Sequence, residues 1–147
     1  MSEKQDYNIM KKNLTIKNCR LDRVESMVIA GMPDVNFCID GVEGWIEMKS
    51  PKEPKRSTSK LFAGNHPLSQ DQMNWFLRQK QAGGTGWVLI STDKRWMLID
   101  GCEYGDFINK MTVNELVDIC IWYAEKPIRD KELWIGLRKG LRKEYLS

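Results

Sequence analysis

Asp34, Glu47 and Lys49 are the residues of this chain whose types and spacing could act together on a substrate. They lie in G-M-P-D-V-N-F-C-I-D-G-V-E-G-W-I-E-M-K, where the apolar runs Val35–Ile39 and Gly44–Lys49 flank an Asp40-Gly41 dipeptide, a hairpin signal. A two-residue turn there pairs Ile39 with Val42 and, carried down the strands, Asp34 with Glu47. Strand side chains alternate, so Glu47 and Lys49 share one face while Ile46 and Met48 share the other. Two carboxylates and an ammonium then crowd one edge of a sheet, which is costly unless something compensates. A divalent cation is the natural compensator, and all-oxygen ligation suits Mg²⁺ or Mn²⁺. In phosphodiester hydrolysis such a cation binds a phosphate oxygen and lowers the pKa of its water, which Lys49 would orient or help to deprotonate. A surface hairpin with three ordinary polar residues would match a bare P-D…E-x-K as well. The surroundings favour chemistry: the E-x-K sits in an apolar strand, Pro33-Asp34 follows Gly31, and a basic loop comes next.

These residues need elements to hold them. Ser69–Gln81 reads as a helix with Met73, Phe76, Leu77 and Lys80 on one face, ended by Gly83-Gly84. Gly86–Ser91 and Arg95–Asp100 make a second strand pair. Thr112–Lys126 is expected as a helix opened by a Thr112/Glu115 capping box. Asp130–Leu146 is expected as the last helix, weakened by Gly136 and Gly140, and a further helix is expected before Met27. Ser50–Pro67, rich in Pro, Ser and Lys, is expected as a mobile loop. The plan is an α/β domain spanning residues 1–147, with a central mixed β-sheet flanked by helices, a core over about 20–100 and C-terminal helices over about 112–146.

Composition narrows the chemistry. A single histidine, His66, argues against multi-histidine metal centres, HNH-type nucleases and most Ser-His-Asp arrangements. Cys19, Cys38, Cys102 and Cys120 are scattered, without a CxxC pair, and read as reduced thiols. No apolar run approaches the roughly 18–20 residues that span a bilayer, and the polar N-terminus lacks a signal-peptide core, so a cytoplasmic protein is expected. Five cations against one anion between Lys49 and Lys60 suit a polyanion, with a solvated surface as the plainer explanation. The six tryptophans are expected mainly in the core or at an interface, base stacking being the lesser reading.

G-M-P-D (Gly31–Asp34), W-I-E-M-K-S (Trp45–Ser50) and L-S-Q-D-Q (Leu68–Gln72), followed by a helix ending in Gly-Gly and an apolar strand, resemble PD-(D/E)xK nucleases. The branch is similar to the VRR-NUC and archaeal Holliday-junction-resolvase group, in the compact form often carried by bacteriophages. The likeness runs from Arg20 to Ser91, about half the chain. It implies a restriction-endonuclease-like core in which Asp34, Glu47 and the Met48 carbonyl hold the metal, Lys49 serves the attacking water and Gln72 supports the site. Gln72 has a competing role in a Ser69-x-x-Gln72 capping box, with Gln70 as the fallback. Relatives often carry an acidic residue on the N-terminal helix as well, for which Glu25 is the candidate. The implied function is a Mg²⁺-dependent endodeoxyribonuclease for branched or junction DNA, with Mn²⁺ able to substitute. The alternatives are an enzyme for ends, flaps or single strands, and a DNA-binding module without activity. Lys52, Lys55, Arg56 and Lys60 would grip the phosphate backbone. Two symmetric nicks on a junction would call for a homodimer, with Trp122, Tyr123 and Trp134 as interface material. A phage-encoded protein would work in the host cytoplasm.

Overall fold

A computed structural model describes residues 2–14, 18–24, 28–64 and 66–144. The chain opens with helix α1 (Glu3–Leu14), capped by Ser2, whose Oγ accepts from the Gln5 N–H. Strand β1 (Cys19–Arg23) follows, then the hairpin of β2 (Val35–Ile39) and β3 (Val42–Lys49). Asp40 and Gly41 have φ of 50° and 84°, the double left-handed geometry of a type I′ turn, which Asp-Gly tolerates. Ile39 faces Val42 and Val35 faces Ile46, the pairing that a two-residue turn dictates.

Helix α2 (Gln70–Gln81) carries the chain across to β4 (Trp87–Ser91), which runs parallel to β3, and β5 (Arg95–Asp100) returns beside it. The short helix α3 (Gly101–Tyr104), a 3₁₀ turn (Ile108–Lys110), α4 (Val113–Ile119), β6 (Trp122–Glu125) and α5 (Asp130–Leu141) complete the chain. The result is a six-stranded sheet in the order β1-β2-β3-β4-β5-β6, antiparallel except at β3–β4. One face carries Val35, Phe37, Ile46, Met48, Leu89 and Leu98 under α1 and α5. The other carries Val88, Ile90, Met97 and Ile99 under Phe76 of α2 and Leu116 of α4. The fold is therefore α/β, a mixed central sheet with helices on both sides, as expected.

Four expectations are corrected. The helix expected over Thr112–Lys126 stops at Ile119, after the expected capping box. Trp122–Glu125 instead pairs with β5, Leu98 opposite Trp122, and the Ile121 N–H donates to Leu98 O. A β-branched and aromatic C-I-W-Y run serves a strand as well as a helix, and the open edge of β5 offers it a ladder. The last helix ends at Leu141, and Gly136 and Gly140 do not weaken it by chance. A Cβ on Gly136 would lie 2.0 Å from Trp122 Nε1, and one on Gly140 2.6 Å from a Leu98 methyl, so both glycines let α5 lie close on the sheet. The Ser50–Pro67 segment is anchored: Leu61 and Phe62 are buried under the second face, Lys60 bridges to Thr112, and Glu53 pairs with Arg95. Trp134, expected at an interface, is buried against α1 and the sheet, while Trp122 and Tyr123 are half-buried. The strand β1 went unread because C-R-L-D-R offers only one buried apolar residue, Leu21.

All four cysteines are free thiols. Among the described residues, no helix is long and apolar enough to cross a membrane.

Candidate active site

The hairpin register sets Asp34, one residue ahead of β2, across from Glu47 on β3. Its backbone carbonyl accepts from Val24 N–H at 2.7 Å, which continues the β1–β2 pairing, and its Oδ1 accepts from Met48 N–H at 3.1 Å. The Asp34 carboxylate is thus fixed against the backbone between Glu47 and Lys49. Gly31 makes this possible. Its φ is 76°, and a Cβ there would sit 2.1 Å from Asp71 O and 2.6 Å from Gln72 N. The G-M-P-D turn therefore lies directly on the first turn of α2, an approach closed to any side chain.

Glu47 and Lys49 are only 5% and 7% exposed on a strand whose other residues in this stretch are core. Lys49 Nζ donates to Pro67 O at 3.4 Å, so the chain just before α2 roofs the site. Burial, reinforced by the Asp34 charge and opposed by Lys49, pushes Glu47 up to about 8. Burial also raises Asp34, to about 6, against the pull of the Met48 N–H, with a further push upward from Glu3. Two carboxylates that resist ionising together, beside a buried lysine, are charge-frustrated.

Glu3 was not anticipated. It lies in the first turn of α1, and its charge raises both Asp34 and Glu47. Glu25 lies outside the described residues. A helix expected somewhere before Met27 gave no reason to choose Glu3, since only the docking of α1 beside the end of β3 brings it near. Glu3 also lines a cleft of about 440 Å³ with Ser2, Lys4, Arg23, Ser50 and His66. Three of those six side chains are basic or imidazole groups, so the cleft offers an anion several partners. His66, expected as an exposed loop residue, is exposed and lines this cleft.

Gln72 sits in its capping box: Oε1 accepts from Ser69 N–H at 2.9 Å, and Ser69 Oγ accepts from Gln72 N–H at 3.1 Å. Gln70 is exposed and donates to Asn74. Lys52, Lys55, Arg56 and Lys60 are all at least partly exposed along the anchored loop. Of the tryptophans, Trp45 and Trp75 stand half-buried and edge to face, 5.9 Å apart, Trp45 being on the same strand face as Glu47.

The donors suited to a metal are oxygens: two carboxylates and the Met48 carbonyl, which strand geometry turns to the same edge as the Met48 N–H. Among the described residues no three His, Cys, Asp or Glu side chains gather closely enough to enclose a metal by themselves.

No protein-family model matches the chain, and no curated protein is similar to it. Among solved structures the chain is similar to Hjc from Archaeoglobus fulgidus, a Holliday junction resolvase from an archaeal hyperthermophile. The two are 18% identical, with 67% of this chain and 72% of that chain covered and a TM-score of 0.43.

Proposed function

We propose that the protein is a Mg²⁺-dependent endodeoxyribonuclease with a restriction-endonuclease-like core, acting on branched or junction DNA. The observation that carries this reading is the buried Asp34–Glu47 pair, with pKa values pushed up to about 6 and 8, beside the buried Lys49. A fold that only needed to be stable would not keep two carboxylates there.

Asp34, Glu47 and the Met48 carbonyl would hold the ion, with Glu3 as a further acidic neighbour. Bound Mg²⁺ or Mn²⁺ supplies Lewis acidity to a non-bridging phosphate oxygen and makes its water more acidic. Lys49, held by Pro67 O, presents its ammonium to the attacking water and to the charge that develops on phosphorus. The water adds to phosphorus as the bridging P–O bond breaks; one of its protons ends on the departing oxygen, giving the hydroxyl end, and the other passes from the new phosphate end to solvent. Arg23, Lys4 and His66 line the approach and would receive the strand's neighbouring phosphates. Lys52, Lys55, Arg56 and Lys60 extend that grip along the loop. The preference for branched DNA rests on the resemblance in Gly31–Asp34, Trp45–Ser50 and Leu68–Gln72.

Incubation with junction, flap, duplex and single-stranded DNA, in Mg²⁺ and in EDTA, tests this reading. Paired cuts in the junction, in Mg²⁺ alone, are expected. Preferential cutting of flaps or ends would shift the substrate and keep the chemistry, whereas binding without cutting in any metal would leave a DNA-binding module.

A further inference from the structure

Trp45 is the tryptophan that core packing does not account for. Trp87, Trp96 and Trp134 are core residues, and Trp75 and Trp122 pack against one core or the other. Among the described residues Trp45 joins neither cluster, although it is half-buried on the strand that carries Glu47 and Lys49. Its side of the sheet is only half covered. Phe76 of α2 and Leu116 of α4 lie over Val88, Ile90, Met97 and Ile99, and no described side chain of β1 or β2 enters that cluster. Over β1, β2 and the start of β3 the same face carries Arg20, Asp22, Asn36, Cys38 and Glu43, all exposed or half-exposed, beside Trp45. Such alternation marks a sheet with one face in solvent. Trp45 pairs with Asn36, and the next pair on that face is Asp34 with Glu47, roughly 6–7 Å along the strand.

The ring is held in place. Trp75 meets it edge to face, and Trp75 is itself set against Phe76 at 5.7 Å and 85°, with Phe76 in the core. An edge-to-face contact uses the face of one ring and the edge of the other, so this one takes at most one face of Trp45. The open floor beside it does not suit phosphate. It carries one cation against two anions, and Arg20 is engaged by Asp22, Glu43 and Asn36. Lys4 and Arg23 line the cleft beyond the other end of β3, around Ser50. We propose that Trp45 is a stacking platform for a nucleobase with an uncovered face, on the nucleotide next to the scissile phosphate. Inside a duplex both faces of a base are covered by its neighbours. A protein ring can stack only where that order is interrupted, at a branch point, an end or a single-stranded stretch. The strand's phosphates then take the cleft of Lys4 and Arg23, the acid pair meets the scissile phosphate, and the next base lies against Trp45. A ring already fixed by Trp75 loses little freedom on stacking. The inference rests on the metal-nuclease reading and adds to it a residue that favours branched over plain duplex DNA.

The test is DNA binding by the full chain in EDTA, read by fluorescence anisotropy on a four-way junction and on a plain duplex at one salt concentration. Trp45→Ala should weaken junction binding about tenfold, the effect of removing one base–aromatic stack, and duplex binding by less than about twofold. Trp45→Phe, which keeps an aromatic face, should stay within about threefold of wild type on the junction. Trp45→Leu, apolar without such a face, should behave as Trp45→Ala, and it carries the test should the alanine variant not fold. A series of junctions, each with one abasic site at a successive position around the branch, then locates the base. Wild type should lose about tenfold at one position, where Trp45→Ala should lose less than about twofold. Equal weakening of junction and duplex in Trp45→Ala would overturn the proposal. So would a folded Trp45→Leu protein with wild-type junction affinity, or an abasic series in which no loss depends on Trp45. Nicking of the junction in Mg²⁺ separates the two levels. If wild type cuts, Glu47→Ala does not, and Trp45→Ala keeps the full preference for the junction, only the platform is wrong. If wild type neither cuts the junction nor binds it better than duplex, the nuclease reading beneath it is wrong as well.

Discussion

Replacing Glu47 by Gln should stabilise the metal-free protein at alkaline pH while destroying its response to metal. Burial first, and then the Asp34 charge, lift Glu47 from 4.5 to about 8. A carboxyl raised in the native state keeps its proton where the unfolded chain has lost it. Its contribution is therefore whole below about pH 4.5 and is lost as pH rises through about 8. Asp34 titrates lower, at about 6, and its loss is shared by wild type and variant. Above about pH 6 the comparison isolates Glu47, and at about 1.4 kcal/mol per unit the two proteins should diverge by on the order of 3 kcal/mol by about pH 9. Gln carries no ionisable proton, so its curve should lack this fall. Urea unfolding in EDTA at about pH 6 and pH 9 reads the difference directly. Adding Mg²⁺ at the higher pH should restore the wild type and leave the variant unmoved. Parallel pH dependence of the two proteins would refute the claim that Glu47 is buried beside a second carboxylate.

Three further outcomes follow from the same geometry. Gln72→Ala should cost about 0.5–2 kcal/mol if the residue only caps α2, with cleavage largely kept; a strong loss of cleavage at unchanged melting temperature would make it a support of the site. Gly31→Ala must relieve overlap with the α2 backbone and a φ of 76°, so it should destabilise by roughly 1–3 kcal/mol, and reduced Mn²⁺ affinity should accompany the loss as Asp34 shifts. Replacing Lys52, Lys55, Arg56 and Lys60 with Ser should flatten the salt dependence of duplex binding, by about 0.9 in slope for each phosphate that is no longer neutralised; an unchanged slope would turn attention to the cleft of Lys4, Arg23 and His66.

The hairpin was legible because its signals agree at every level. Asp40-Gly41 dictates the turn, the turn dictates the register, and alternation puts Glu47 and Lys49 on one face. Helix α2 was equally plain from Ser69 and Gly83. What stayed hidden depends on distant partners. Trp122–Glu125 is a strand only because β5 presents an edge, and Gly136 reads as a helix weakness until Trp122 lies against it. Glu3 and Asp6 look like surface acids of an N-terminal helix. Asp6 is instead buried and accepts from Ser50, 44 residues later in the chain, which no local pattern links to it.

The nicking rate of Glu47→Ala on supercoiled and junction DNA in Mg²⁺, set beside wild type, tests the central claim most directly. With the carboxylate that anchors the ion removed, cleavage should fall by several orders of magnitude, to the level of wild type in EDTA, while circular dichroism shows the fold intact. A folded Glu47→Ala protein that nicks DNA at close to the wild-type rate would contradict the account.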